Sequence, residues 1–206
     1  MNRRSIMLAA ALLVTAGAST ISAQAGLNTH ASWGVLAGAN FAKVSDASGV
    51  NTRTGVVVGL SADFNLANHF GLEIDGLYSQ QGAKETIDGT EVTLHLDYAA
   101  IPVLLRYRFP TKGTVHPFVV LGPQVGFRVK CEVTAGSDSA SCSDFAGVNA
   151  KSVDFSGTVG AGLGFQVGKE ELSLQARYNM GFTKIFDNAN SNSKNRVVSV
   201  MAGFAF

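Results

Sequence analysis

Apolar and polar residues alternate with a period of two along almost the whole chain. In "WGVLAGANF" Trp33, Val35, Ala37, Ala39 and Phe41 alternate with Gly34, Leu36, Gly38 and Asn40. "TGVVVGLSADFN" sets Val56, Val58, Leu60 and Phe64 against Gly55, Gly59, Ser61 and Asp63. "FGLEIDGLYSQ" sets Phe70, Leu72, Ile74 and Tyr78 against Gly71, Glu73 and Asp75. "VDFSGTVGAGLGFQV", "LSLQARYNMGFT" and the closing "RVVSVMAGFAF" repeat the pattern. Successive side chains of a strand point to opposite faces, so each segment predicts a strand with one apolar face and one polar or glycine face.

Two more strands are less regular. "FVVLGPQVGFRVKC" alternates with Val119, Leu121, Val125, Phe127 and Val129 on one side. In "VTLHLDYAAIPVLLRYRF" Leu94, Leu96 and Tyr98 share the apolar face at the start, and Val103, Leu105, Tyr107 and Phe109 share it at the end. The change of phase near Ala99 to Pro102 predicts a β-bulge, a position that tolerates proline. The total is eight strands. Links near 44–53, 82–91, 131–151 and 184–195 are long and polar, and those near 65–69, 110–115 and 168–171 are short. Long and short connections in alternation predict an all-β, eight-stranded antiparallel up-and-down barrel whose rims face different surroundings.

Alternation alone does not say which face is outside. Several strands run longer than the roughly 9–11 residues that a tilted strand needs to cross a membrane. Aromatic residues sit at the ends of the apolar face: Trp33, Phe41, Phe70, Tyr78, Phe155, Phe165, Phe204 and Phe206. Eight residues of a tilted strand climb roughly 20 Å, close to the ~25 Å apolar band of outer-membrane barrels, so these rings fit an aromatic girdle. The other face carries Asp63, Glu73, Asp75 and Asp154 against Arg106, Arg108 and Arg177, among many glycines. A narrow lumen needs small residues to make room for long ones, and its charges must be paired. The expectation is a salt-bridged polar core, with Glu73 and Asp75 partnering some of Arg106, Arg108 and Arg177. The apolar faces then look at lipid, and the terminal Phe204 and Phe206 resemble the C-terminal signal read by the barrel assembly machinery.

Composition agrees. Charged residues make up 15% of the 206-residue chain, below the roughly 25% of soluble domains. The formal net charge of +1 leaves no footprint for nucleic acid. The start differs from the rest: Arg3 and Arg4, the apolar "IMLAAALLVTAGA" and the small-residue "AQA" predict a signal peptide over 1–25, cleaved after Ala25. The barrel then occupies 26–206, exported to the outer membrane of a Gram-negative-type cell. In such a compartment Cys131 and Cys142, flanking one polar loop, read as a disulfide. Their spacing is wrong for a CxxC metal or redox pair, the four histidines are scattered, and the glycines lie within strands, so no metal and no cofactor is expected.

The segment "LDYAAIPVLLRYRF" (96–109), followed by "HPFVVLGPQVGF" (116–127), resembles the porin-like outer-membrane β-barrel family that includes PorT-type proteins. The resemblance covers nearly all the mature chain. It implies an eight-stranded outer-membrane barrel and carries no catalytic residues with it.

The leading functional reading is a non-enzymatic outer-membrane barrel with a filled polar lumen. Its surroundings are the outer-membrane lipids, and its surface loops meet an extracellular ligand in binding, adhesion or envelope assembly. Two alternatives stay open. One is an outer-membrane lipid-modifying enzyme built on Ser, His and an acid near the rim, although no GxSxG frame exists. The other is a periplasmic lipocalin-like carrier, with the apolar faces turned inward around a ligand.

Overall fold

The structure, a computed structural model, describes residues 31–44, 51–87, 90–136, 138–142, 152–183 and 194–206. The signal-peptide expectation over 1–25 lies outside the described residues. Nine strands follow in order: β1 (Ala31–Val44), β2 (Asn51–Ala67), β3 (Phe70–Ile87), β4 (Thr90–Arg108), β5 (Val115–Ala135), β6 (Asp138–Ser141), β7 (Val153–Val167), β8 (Glu170–Gly181) and β9 (Asn195–Ala205). Eight of them form a closed antiparallel barrel in chain order, sealed where β1 pairs with β9. The four-residue β6 folds back on the far end of β5 and pairs with nothing else among the described residues.

Two turns at one rim are as tight as two strands allow, and the third spans residues 109–114. Ala67 pairs with Phe70 and Val167 with Glu170, leaving two residues in each turn. The first of each pair has positive φ, 49° at Asn68 and 69° at Gly168, a conformation that Asn and Gly adopt most readily. Closure at this rim includes the last residue: Phe206 N donates to Trp33 O at 2.8 Å and Trp33 N donates to Phe206 O at 3.2 Å.

The apolar stripe faces outward. Leu121 is 64% exposed and Trp33 57%, whereas Glu73, on the opposite face, is 0% exposed. All eight aromatic residues expected to form the girdle are exposed. Trp33, Phe70, Phe165, Phe204 and Phe206 lie toward the tight-turn rim, and Phe41, Tyr78 and Phe155 toward the other. Tyr107 joins the first group, its ring 5.0 Å from that of Phe70 and 5.1 Å from that of Phe109. An apolar exterior around a charged interior is the reverse of a carrier barrel, and the lipocalin-like alternative falls on that observation.

Two expectations are corrected. There is no bulge near Pro102: β4 keeps one register with β3 from Tyr107 to Thr90. The irregularity lies between Asp97 and Tyr98, on the β5 side. Leu94, Leu96 and Tyr98 therefore keep the inward phase of Arg106; Leu96 and Tyr98 are buried and pack with Ala83, Leu94 and Cys131. They are the apolar stopper of the barrel's long-loop end, which alternation cannot distinguish from a lipid-facing stripe. The second correction concerns the links. Much of 82–91 and 131–151 is strand, because Lys84↔Thr93, Glu85↔Val92 and Glu132↔Ser141 continue the ladders. These stretches lack an apolar outer face, so they read as loops.

The result is a sheet of β3, β4, β5 and β6 standing beyond the rest of the barrel. Cys131 and Cys142 form a disulfide across its edge, with Cα atoms 5.5 Å apart. Closing so short a loop opposes local opening by about 3 kcal/mol. The Cys131→Ser, Cys142→Ser pair of substitutions should thus make the 131–142 hairpin readily cut by protease while the cylinder stays heat-modifiable on a detergent gel. Loss of the folded gel band itself would contradict this division.

Candidate functional site

The charged centre of the lumen is built on four strands, β2, β3, β4 and β8. Glu73 of β3 points inward and receives Arg106 of β4, whose Nε donates to Oε2 at 2.8 Å. Arg177, from β8 across the barrel, donates through Nη2 to the other oxygen, Oε1. Its Nη1 donates to Asp75 Oδ2 at 2.6 Å, and its Nε donates to Gln175 Oε1 at 3.0 Å. Arg106 also lies 3.3 Å from Asp63 Oδ1 and stacks over the Phe118 ring at 4.4 Å. Glu171 links the next tier, 3.7 Å from Arg106 and 3.8 Å from Arg108, and Arg108 Nη1 donates to Asn65 Oδ1 at 3.1 Å. Glycine makes the space: a Cβ at Gly160, directly opposite Arg177, would meet its Cγ at 2.9 Å.

Above the charges lie two further layers. Leu36, Val57, Leu77, Ala100 and Met201 form an apolar plate. Neutral polar side chains close the rest: Asn40 Nδ2 donates to Ser79 Oγ at 2.9 Å and Ser199 Oγ to Asn40 Oδ1 at 2.7 Å. Asn179 Nδ2 donates to Ser156 Oγ at 3.0 Å and Thr158 Oγ1 at 2.9 Å. The cavity left among Ser79, Gln124, Arg177 and Asn179 is about 20 Å³, room for a water molecule rather than a solute.

Asp63, Glu73, Asp75, Arg106 and Arg177 thus meet in one cluster, and Arg108 joins through Glu171. Asp154 does not belong to it. Six residues along β7 separate it from Gly160, the partner of Arg177, roughly 20 Å of strand. It sits instead near Asn195, whose Nδ2 lies 3.4 Å from Asp154 Oδ2 and 3.3 Å from the Tyr98 hydroxyl. Glu171, Gln175 and Phe118 are members that sequence reasoning missed. Glu171 looked like part of a polar turn; carrying the inward phase of Arg177 and Gln175 back through Ser173 would have found it.

A second polar cluster lies above Tyr78, toward the long-loop rim. The Tyr78 hydroxyl donates to Asp97 Oδ2 at 2.6 Å. Arg53 donates to the Gln81 carbonyl and, at 2.8 Å, to His95 Nδ1, so the imidazole's other nitrogen carries its proton. Lys130 lies 3.1 Å from Glu132. Register places His95 opposite Glu132 and Glu132 opposite Ser141. The acid stands between the other two, which puts His95 and Ser141 two strand spacings, about 10 Å, apart. A serine nucleophile needs its base within hydrogen-bond reach, with the acid behind that base. Among the described residues no group of His, Cys, Asp and Glu is disposed to hold a metal ion.

A closed eight-stranded cylinder, lipid-facing outside and charge-paired within, defines a transmembrane barrel of the outer membrane. The chain belongs to the family described as outer membrane protein beta-barrel domain, which matches residues 22–187. Among solved structures it is similar to Neisserial surface protein A, at 20% identity and a TM-score of 0.54, over 85% of this chain and 97% of that one. It is similar also to Ail, the attachment invasion locus protein of Yersinia pestis, at 18% identity, TM-score 0.42, over 86% and 99% of the two chains. The outer membrane enzyme PagL is similar at 16% identity, TM-score 0.46, over 82% and 97%. These likenesses concern the fold. No curated protein matches the chain in sequence.

Proposed function

We propose that the protein is a non-enzymatic, non-conducting outer-membrane barrel that holds an extracellular binding or adhesion surface at a fixed height. The observation that carries this reading is the length of three consecutive strands. β3, β4 and β5 run 18, 19 and 21 residues, against the roughly 9–11 that cross a membrane. Their surplus stands outside as one sheet, extended by β6 and tied by the disulfide. The kinship to PorT-type proteins suggested by "LDYAAIPVLLRYRF" and the presentation of Phe204 and Phe206 to the assembly machinery belong to the same reading.

Support against conduction comes from the lumen, where paired arginines, the plate around Met201 and the stopper of Leu96 and Tyr98 follow one another. Support against catalysis comes from the order of His95, Glu132 and Ser141. Planar-bilayer recording of the refolded protein should show no large, steady channels; nanosiemens-scale openings in every insertion would sink the proposal. A companion assay asks whether His95→Ala alters hydrolysis or acyl transfer on phospholipid or lipid A, with no turnover above background expected from either form.

A further inference from the structure

We infer that Lys43 and Arg196 form a binding site on the outer wall for the phosphate of a membrane lipid headgroup. The two residues are directly opposite each other in the β1–β9 ladder, both on the outward phase and both exposed. Like charges at such a pair are unfavourable when nothing lies between them. Among the described residues neither forms an ion pair. The contrast with the far side of the same rim is direct: there Lys130 has Glu132 at 3.1 Å and faces Asp97 across the ladder. Lys130 stands opposite a carboxylate in its ladder, and Lys43 stands opposite a second cation.

Their height fits the inference. One step down the same ladder is the pair Phe41↔Val198, and Met180 of β8 stands beside Arg196. All three are exposed on the lipid side, Phe41 within the girdle of the long-loop rim. Two residues along a tilted strand climb roughly 5 Å, from the edge of the hydrocarbon to the level of headgroup phosphates. A lipid with a phosphate group can lay its chain over Phe41, Val198 and Met180 and its anion between the two cations. Arg supplies a planar fork for two oxygens and Lys a point charge. A free phosphate ion would gain only the upper half of these contacts. The site is independent of the role given above to the extracellular sheet.

The test uses the full chain refolded in phosphatidylcholine vesicles, with and without phosphatidic acid, whose headgroup is a bare phosphate. The readout is the temperature at which the folded gel band is lost. Phosphatidic acid should raise it by about 4 °C for the native protein, the scale of one or two charge-assisted hydrogen bonds. The Lys43→Gln, Arg196→Gln double variant should show no rise, and in pure phosphatidylcholine it should match or exceed the native protein, since a repulsion is gone. Lys43→Glu, which pairs with Arg196 internally, should behave likewise, and Lys130→Gln should keep the full rise. The inference is overturned by an equal rise in the double variant, by no rise in the native protein, or by the same rise from inorganic phosphate added to phosphatidylcholine vesicles.

Discussion

Replacing Glu73 by alanine should lower the temperature at which the folded barrel opens by on the order of 10 °C, the largest effect of any single lumen substitution. Glu73 is 0% exposed and, among the described residues, is the one carboxylate that touches both Arg106 and Arg177. Removing it takes from both guanidinium groups the fully buried carboxylate they share, and leaves Arg106 to Asp63 and Glu171 at 3.3 and 3.7 Å and Arg177 to Asp75. Glu73 accepts charge-assisted hydrogen bonds from both groups, and each one lost costs about 1.5–3 kcal/mol. The neighbouring Asp75→Asn provides the contrast. Asp63, Glu73, Asp75 and Glu171 contribute four carboxylates against three guanidinium groups, on Arg106, Arg108 and Arg177, and Asp75 Oδ1 has no hydrogen-bond partner. The amide keeps an acceptor for Arg177 and removes the excess charge, so its cost should stay under about 1 kcal/mol. Heat-modifiability series on the two variants decide the matter: equal midpoints for Glu73→Ala and the native protein would remove the network from any structural role.

Placing an arginine on the lipid-facing wall should be nearly as damaging. Leu121 lies midway between Val115 and Phe127, the lipid-facing part of β5, and is 64% exposed. At the bilayer midplane a cation there costs about 2–4 kcal/mol, whereas near an interface the figure falls to about 0–1. Leu121→Arg should therefore cut refolding yield into vesicles severely, while Val129→Arg, above Phe127 at the rim, should refold almost as the native protein does. A barrel with water outside would accept both changes alike. Identical yields for the two variants would thus strike at the orientation of the apolar stripe.

Most of the cylinder was legible in the sequence because a lipid exterior imposes a strict period of two, and that period survives in every crossing segment. The charged centre was legible for a related reason: Glu73, Asp75, Arg106 and Arg177 interrupt a face otherwise rich in glycine and small polar residues. Legibility ended where the lipid did. Leu94, Leu96 and Tyr98 keep the inward phase but are apolar, so they mimicked a lipid-facing stripe and suggested a bulge of β4 near Ala99 to Pro102, whereas the irregularity falls between Asp97 and Tyr98 on the β5 side. Lys84, Glu85 and Glu132 are in strands but have no apolar partners in alternation, so they passed for loop. Asp154 has the right phase and the wrong height, a coordinate that alternation does not carry. Lys43 and Arg196 lie about 150 positions apart in the chain and become neighbours only through closure of the ladder.

The same closure bears on how the molecule assembles. Arg177 reaches Glu73 and Asp75 across 104 and 102 residues of chain. Until the last strands arrive, Asp75 lacks its arginine and Glu73 has Arg106 alone, and the half-built sheet would present a bare ion and unpaired edges to hydrocarbon. Intermediates of that kind are too costly to accumulate, so insertion and sealing are expected to occur as one cooperative event, with the central ion cluster complete only when Arg177 joins it.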